Sequence, residues 1–315
     1  MNYRTFLILI FVLFGLIAFV YFLFPEGKFE GVLTNEVYLS PNNKEINYVY
    51  EKEGTSKIYR FKIGDTVSKI LINNEGYNLS EPSFTIDEKR MIYRAWKKND
   101  PVIHLFVCNS DGKNSKEIYS GNLLFNPKFS EYDAQEIYFI KASEYSNHSP
   151  IAKQHPNGMD LYSYNFKIKG TRKLTDNNYY SINSYDFISN SNFIVNCDLK
   201  GIFKYSLDNN FKREELNIIN KIDSSSMDQI LSNKISYSKE DKKYLLSSNF
   251  EIFLWDGKGS KLDAIFTSEP GIQIKSTSFF KNEKKIFISD NIENITIINY
   301  QGKVLNKFKI PRPTF

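Results

Sequence analysis

Cysteine and histidine are scarce in this sequence, and their scarcity excludes several classes of protein. Two cysteines in 315 residues cannot make a disulfide-stapled scaffold or a multi-cysteine zinc site. The three histidines include no H-E-x-x-H pair, which argues against a catalytic zinc. The P-loop and dinucleotide-binding glycine patterns are also missing. We therefore expect no metal and no cofactor.

A strong excess of charge of one sign is missing as well. The chain has 41 Lys+Arg against 36 Asp+Glu, and this net charge of +5 is spread along its length, so nucleic acid is not an expected partner. Aromatic residues, by contrast, are abundant, with 26 Phe and 21 Tyr. Because aromatic side chains favour strands, the composition predicts many short strands rather than helices.

Long hydrophobic runs are absent except at the N-terminus, where residues 6–24 (FLILIFVLFGLIAFVYFLF) form an apolar run of 19 residues. That length is enough to cross a bilayer as a helix. A cleaved signal peptide is the alternative, but bulky Phe22, Leu23 and Phe24 stand where its small-residue cleavage site belongs. We therefore predict an uncleaved, single-pass transmembrane signal anchor.

The charges that flank this run predict its orientation. Arg4 and the α-amino group precede it, whereas Lys28 follows it among acidic residues. This bias places the N-terminus in the cytoplasm and the rest of the chain outside. We expect a protein of the cell membrane with a cytoplasmic tail at residues 1–5 and a linker or closing strand at residues 25–34.

A strand-like pattern recurs six times in the remaining chain. The copies begin 45, 46, 56, 51 and 42 residues apart. Each copy follows a strand that ends in a polar turn, and each precedes another aromatic-rich run, with a fourth strand in most copies. The six runs are KEINYVYE (44–51), KRMIYRAW (89–96), QEIYFIKA (135–142), SNFIVNCD (191–198), KKYLLSSN (242–249) and KKIFISDN (284–291).

Four antiparallel strands repeated six times predict an all-β fold, a six-bladed β-propeller over residues 35–315 behind a single N-terminal transmembrane helix. One four-stranded sheet cannot bury both of its faces alone, whereas sheets stacked around an axis can. Turn residues such as Asp111-Gly112 and Asp256-Gly257 stand where hairpins need them. Two β-sandwiches would not repeat the same turn six times. The predicted blades are about 35–77, 78–121, 122–180, 181–220, 233–270 and 274–310.

The turns carry a resemblance to a known family. The segments PSFTIDEKRMIYRAW, PKFSEYDAQEIYFI and MDLYSYNFKIKGTRKLTD resemble the TolB-type, WD40-like propeller repeat, and the last includes Leu174-Thr175. The resemblance covers about residues 35–310 and implies the propeller fold. Proteins with this repeat include a periplasmic protein that binds the Pal lipoprotein and enzymes of the prolyl-oligopeptidase type. The repeat itself implies little about activity.

An enzyme is not the expected function. The chain has no G-x-S-x-G and ends at Phe315, shortly after the sixth repeat, so we do not expect a hydrolase of the peptidase type. A glycan-cleaving propeller would need acidic residues facing the axis. The first strands offer few, of which Glu36, Glu81 and Asp186 are the best candidates. We assign no catalytic residue.

Binding residues are expected on one face of the propeller. The connections from the second to the third strand of each blade, and from each blade to the next, share this face, here called the loop face. The longest insertion on it is 143–158 in blade three, and 219–232 is the next longest. Exposed aromatic and basic side chains in such loops are typical of partner sites. The candidates are Trp96, Lys97, Lys98, Tyr145, His148, His155, Tyr179 and Tyr180.

The histidines and cysteines are expected to form neither a metal site nor a disulfide. His148 and His155 lie seven residues apart in a loop while His104 lies in another blade, so solvated histidines are expected rather than a metal site. Cys108 and Cys197 lie in non-adjacent blades, too far apart for a disulfide, and are predicted to be buried free thiols.

The leading hypothesis is a non-enzymatic, membrane-anchored, extracytoplasmic propeller that acts as a protein-binding or scaffold module at the bacterial cell envelope. Its partner would be an envelope protein or a glycan. The alternative is a propeller enzyme or lectin-like module that acts on an envelope polysaccharide. A sensor that signals through the anchor is disfavoured by the short predicted tail, MNYRT.

Overall fold

The computed structural model describes residues 31–133, 135–147, 153–197, 201–207, 212–216, 218, 234–259, 262 and 264–313. Blades one to three contain β1 (Val32–Leu39), β2 (Glu45–Lys52), β3 (Thr55–Lys62), β4 (Lys69–Ile72), β5 (Asn78–Phe84), β6 (Arg90–Trp96), β7 (Val102–Asn109), β8 (Lys116–Asn122), β9 (Leu124–Phe129), β10 (Glu136–Ser146), β11 (His155–Asn165) and β12 (Gly170–Lys173).

Blades four to six have the same composition of strands. They contain β13 (Ile182–Phe187), β14 (Asn192–Cys197), β15 (Gly201–Ser206), β16 (Lys212–Glu215), β17 (Lys234–Ser238), β18 (Lys243–Ser247), β19 (Glu251–Trp255), β20 (Ala264–Thr267), β21 (Ile274–Phe279), β22 (Lys285–Asp290), β23 (Asn294–Asn299) and β24 (Val304–Lys309).

Each blade is an antiparallel sheet of four consecutive strands, and the first strand lies innermost. The six runs predicted from the sequence coincide with the second strands, β2, β6, β10, β14, β18 and β22. The structure therefore confirms the predicted all-β class and the six blades. Cys108 and Cys197 are buried thiols that are not joined in a disulfide, as predicted.

The hydrophobic core of the described residues is divided among the interfaces between neighbouring blades. Blade three packs on blade four through residues such as Ile140 and Tyr185, and blade four packs on blade five through residues such as Ile194 and Phe253. Comparable clusters join blades one and two, two and three, and five and six. Because neighbouring blades cover both faces of each sheet, the second strands are almost continuously apolar.

The ring closes where blade six packs on blade one. Asn43 Nδ2 donates to the Lys281 carbonyl oxygen at 2.7 Å, and the Lys281 N–H donates back to Asn43 Oδ1 at 2.9 Å. The Tyr48 hydroxyl donates to the Pro311 carbonyl oxygen at 2.7 Å. Behind these bonds lies one apolar cluster, formed by Val37, Ile46, Tyr48, Tyr50, Tyr59 and Phe61 of blade one with Phe280, Phe287, Ile295, Ile297 and Ile310.

The segment predicted as a linker or closing strand, residues 25–34, is described by the structure from residue 31 onward. Within that part, Val32 pairs with Glu51 and Leu33 with Tyr50 inside blade one. All four strands of the last blade come from its own segment, β21 to β24. Side-chain packing and hydrogen bonds, rather than an exchanged strand, therefore join the two ends of the described ring.

The third and fourth strands of two blades are joined by turns that press on the preceding blade. Gly112 and Gly302 both have positive φ, at 84° and 78°. A Cβ at Gly112 would overlap the carbonyl oxygen of Leu71 in β4, and one at Gly302 would overlap that of Ile265 in β20. Glycine is thus required here by conformation and by close approach.

No helix among the described residues is long and apolar enough to cross a membrane. The predicted anchor, 6–24, lies outside them.

Because side-chain packing and hydrogen bonds close the ring without an exchanged strand, the seam between blades six and one should be as important for stability as any other interface. Phe287 at the seam and Phe193 between blades three and four are 0% and 1% exposed. Phe287→Ala and Phe193→Ala should each lower the free energy of unfolding by about 3–5 kcal/mol, measured by urea denaturation. A loss at Phe287 below about 1 kcal/mol, with the full loss at Phe193, would contradict this closure.

Candidate functional site

The predicted insertion in blade three is a long β-hairpin rather than an irregular loop. β10 and β11 have 11 residues each and pair from Glu136 with Asn165 out to Ser146 with His155. Tyr145 lies near its outer end, paired with Pro156, and its side chain is 55% exposed. His148, at the tip, lies outside the described residues. The second-longest predicted loop, 219–232, also lies outside them.

The base of this hairpin is held by the connection to blade four. Met159 and Tyr179 exchange two backbone hydrogen bonds, at 2.7 and 3.1 Å. The ring of Tyr179 is fully buried, and its hydroxyl lies 2.6 Å from that of Tyr205 and accepts a hydrogen bond from Arg213. Tyr179, predicted as a contact residue, is therefore a packing residue whose side chain offers no surface to a partner.

The next residue, Tyr180, has the opposite environment. It is 38% exposed and stacks on His155, with ring centroids 5.0 Å apart and planes inclined by 12°. A predicted residue of the insertion and one of the connection to blade four thus meet on the loop face. Tyr145 pairs with Pro156, so its exposed side chain lies on the other side of the hairpin from His155. The accessible rings on the two sides of the hairpin, Tyr145 on one and the His155–Tyr180 pair on the other, are together called the hairpin surface (Tyr145, His155 and Tyr180).

The three predicted residues of blade two lie at the neighbouring hairpin end. Trp96 is half-buried, and Lys97 and Lys98 are exposed. The Lys97 ammonium lies 5.0 Å from the centre of the Tyr77 ring, a cation–π arrangement. Arg94 bridges blade two and blade three beside Trp96.

Arg94 lies between an aromatic ring of its own blade and one of blade three. Its guanidinium carbon is 5.1 Å from the Trp96 ring and 5.0 Å from the Phe125 ring. Its charge is balanced by Glu81, whose Oε1 lies 2.9 Å from Arg94 Nη1. The position of Trp96 is therefore fixed by a half-buried ion pair that the sequence did not indicate.

A pocket that the sequence did not predict lies beside Trp96, between blades one and two. Its volume is about 220 Å³. It opens beside the turn between β2 and β3, which belongs to the same loop face as the hairpin surface. We call it the blade 1–2 pocket; it is lined by Thr34, Glu36, Val49, Glu51, Gly54, Ser56, Asn78, Leu79, Ser80 and Trp96.

The acidic residues of the first strands serve as connectors between blades. Glu36 Oε2 accepts a hydrogen bond from the Glu81 N–H at 2.5 Å, and Glu81 Oε2 accepts one from the Asn126 N–H at 2.6 Å. Asp186 Oδ2 accepts one from the Tyr237 N–H at 2.8 Å. The three carboxylates that were candidates for catalysis each bind the backbone of the next blade.

The first strands of all six blades surround a central cavity of about 340 Å³. Pro41 and Glu131, which follow β1 and β9, place it toward the face opposite the loop face. Lys128 and Lys234 line it, and each has a partner: Lys128 donates to the Tyr185 carbonyl oxygen at 2.6 Å, and Lys234 to Ser276 Oγ at 3.1 Å. The cavity has a mixed lining that carries charges of both signs.

Burial shifts the pKa values of several charged residues near the axis. Burial, reinforced by the Glu81 carboxylate, raises the pKa of Glu36 from 4.5 to about 7. Burial lowers the pKa of Lys234 to about 8, although Glu36 opposes that change. Burial and the Asp186 carboxylate raise the pKa of Glu131, which pairs with Lys239.

No group of three or more His, Cys, Asp or Glu in the part of the chain that the structure describes is arranged to hold a metal ion. A general acid and base would also need carboxylates whose oxygens face a substrate. Both oxygens of Glu81 are already bound by Arg94 and by the Asn126 N–H. The Glu81 carboxylate therefore holds blades two and three together.

The raised pKa of Glu36 predicts a specific pH dependence of stability. The pKa of Glu36 is about 7 in the folded chain and 4.5 in the unfolded chain, so between these pH values the folded chain keeps a proton that the unfolded chain has released. Ionised Glu36 therefore makes folding less favourable above pH 7, and this penalty disappears as the pH falls toward 4.5. Glu36→Gln keeps an acceptor for the Glu81 N–H. It should raise the free energy of unfolding at pH 8 by on the order of 1–3 kcal/mol and change it little at pH 5. Equal effects at both pH values in urea titrations would contradict the assignment.

Comparisons with known proteins support the fold. No protein-family model and no curated protein matches the sequence. Among solved structures, the chain is similar to TolB from Acinetobacter baumannii (15% identity, TM-score 0.55), covering 84% of this chain and 63% of that one. It is also similar to an oligogalacturonate lyase in complex with manganese, at 13% identity and a TM-score of 0.54, covering 81% of this chain and 73% of that one. A chain of a nidogen/laminin complex is similar at 10% identity and a TM-score of 0.57, covering 89% of this chain and 93% of that one.

At these identities the likeness is one of fold, and the chain spans less than two thirds of the TolB chain. It bears out the resemblance read from the repeats: a six-bladed β-propeller with TolB among its structural neighbours.

Proposed function

We propose that this propeller is a non-enzymatic protein-binding module of the bacterial cell envelope, held at the membrane by residues 6–24 with its propeller outside the cytoplasm. The partner, an envelope protein, docks on the loop face at the hairpin surface. The single observation that carries the proposal is the β10–β11 hairpin, whose paired strands extend to Ser146 and His155.

The side chains of the hairpin surface favour a protein partner. Tyr145 is an exposed tyrosine on the paired strand β10, and Tyr180 is an exposed tyrosine next to the backbone bridge between Tyr179 and Met159. Because the backbone at both positions is already held, little conformational entropy is lost when these side chains bind a partner. Tyrosine is among the residues that most often dominate binding energy. The His155–Tyr180 stack fixes the orientation of the second of these rings.

A glycan ligand is the second candidate. The observation that favours it is the central cavity, whose lining includes the hydroxyls of Tyr38, Ser83, Ser236, Ser276 and Ser278. Buried hydroxyls of Ser236 and Ser278 have no hydrogen-bond partner among the described residues. A polyhydroxylated ligand would satisfy them, and it would enter from the face opposite the hairpin surface.

Site-specific photocrosslinking distinguishes the two candidates. A benzoylphenylalanine at position 145 should form an adduct with one discrete envelope protein in intact cells, because this side chain stands on the docking surface. The matched control is position 132, since Tyr132 is also an exposed tyrosine (45%) but lies in a turn on the opposite face. Adducts of equal yield at both positions, or at 132 alone, would contradict the proposed docking face.

Substitution at the hairpin surface should weaken the same adduct. With the crosslinker at 145, Tyr180→Ala should reduce the yield at limiting partner at least about fivefold, the effect of losing 1 kcal/mol at a hot spot. Ile168→Ala, in the same blade but 76% exposed in the turn between β11 and β12, should leave it unchanged. No adduct at 145, with binding of the chain to an array of envelope glycans, would favour the second candidate.

A further inference from the structure

The blade 1–2 pocket contains a carboxylate whose charge is not balanced by an ion pair. Glu36 accepts one hydrogen bond, from the Glu81 N–H, and forms no ion pair with any described residue. Glu81 by contrast is paired with Arg94, and Asp186 with Lys128 at 3.5 Å. Of the three acidic connectors in the first strands, Glu36 therefore has the least compensated charge, and it is the one that lines this pocket.

A second, independent observation in the same pocket is an unsatisfied hydroxyl. Ser80 is 3% exposed, and its Oγ has no hydrogen-bond partner among the described residues. A buried hydroxyl without a partner is destabilising, so Ser80 Oγ offers a hydrogen-bonding group to a molecule that enters the pocket. Ser80 and Glu36 both line the pocket, on the neighbouring strands β5 and β1.

The chemistry of the lining selects for a cation. Glu36 and Glu51 are acidic, and no Lys, Arg or His is among the lining residues. Trp96 supplies an aromatic wall, and the positive charge of Arg94 behind it is neutralised by Glu81. Carboxylates beside an aromatic ring are a common arrangement for binding organic cations.

The size of the pocket selects for a single side chain. Its volume of about 220 Å³ is below the roughly 300–1,000 Å³ typical of sites for drug-sized ligands. It lies on the same face as the hairpin surface, and its blade-two wall belongs to the blade next to the hairpin, so a partner docked on the hairpin surface would extend toward it.

We propose that the blade 1–2 pocket binds the charged end of a lysine or arginine side chain, presented by the protein that docks on the hairpin surface. This inference rests on the proposed function for the source of the cation. The shared chemistry, an organic cation held by Glu36 and Glu51 against Trp96, would also accept a free alkylamine, and the experiment below separates these two sources.

Binding should depend on pH. Glu36 is faced by Glu81 of β5, Arg94 of β6 and Lys234 of β17, besides Tyr38 on its own strand. With the pKa of Glu36 at about 7, a cation must compete with a proton below that pH. Affinity should therefore fall as the pH drops below 7, approaching tenfold per pH unit well below the pKa.

The chain contains its own reporter and its own control. It has two tryptophans. Trp96 lines the pocket, whereas Trp255 is 6% exposed and its indole N–H donates to the Lys258 carbonyl oxygen at 3.0 Å. In full-length protein labelled with 5-fluorotryptophan, Nα-acetyl-lysine methylamide should shift the Trp96 fluorine signal and leave that of Trp255 in place. The neutral isostere Nα-acetyl-norleucine methylamide should shift neither.

Variants test the assignment residue by residue. Glu36→Gln should weaken lysine-probe binding at pH 8 at least tenfold and abolish its pH dependence. Glu75→Gln, an exposed glutamate in the connection between β4 and β5 outside the pocket, should leave binding unchanged. Equal shifts with the lysine and norleucine probes, or pH-independent binding, would overturn the proposal.

A third probe separates the two sources. If n-butylammonium binds and the blocked lysine does not, the occupant is a free amine and the partner's side chain is excluded. If no cation binds but crosslinking at position 145 succeeds, the pocket assignment fails and the docking function stands. If the lysine probe binds but no adduct forms at position 145, the cation pocket stands and the proposed docking face fails.

Discussion

Each blade of this propeller needs a neighbour on both faces of its sheet, and this requirement governs the rest of the structure. A four-stranded sheet with two apolar faces cannot be stable alone, so the apolar clusters lie between blades. The same requirement must be met where the chain's two ends join. Here the described ring is closed by hydrogen bonds from the Asn43 side-chain amide to the Lys281 backbone, by the Tyr48–Pro311 hydrogen bond and by the apolar cluster around Phe287.

The polar groups near the axis are constrained by the same geometry. First strands converge there, and their backbone N–H groups need acceptors. Glu36, Glu81 and Asp186 provide them for the following blades, so residues that resemble a catalytic set in sequence are used to position strands. Glu36 differs from the other two because it forms no ion pair with a residue that the structure describes, and its carboxylate lines the pocket beside Trp96.

The sequence predicts the blades well because strand pattern and turn chemistry are local. Second strands such as β2 and β22 are apolar runs bounded by polar turns, and both are visible within ten residues. The pocket was not predictable in this way, because it joins residues about 45 positions apart, as in the Glu36–Glu81 contact. Nor does the pair Tyr179-Tyr180 show in sequence which ring is buried; the backbone bridge to Met159 decides it.

The most direct test of the central claim, that the loop face of blades one to three is the docking surface, is hydrogen exchange measured by mass spectrometry. The full-length chain is compared in native membranes and after purification. Peptides covering β10–β11 and the turn after Trp96 should exchange more slowly in native membranes, whereas turns of the opposite face, such as 86–89 and 131–133, should not change. Slower exchange confined to the opposite face would contradict the account.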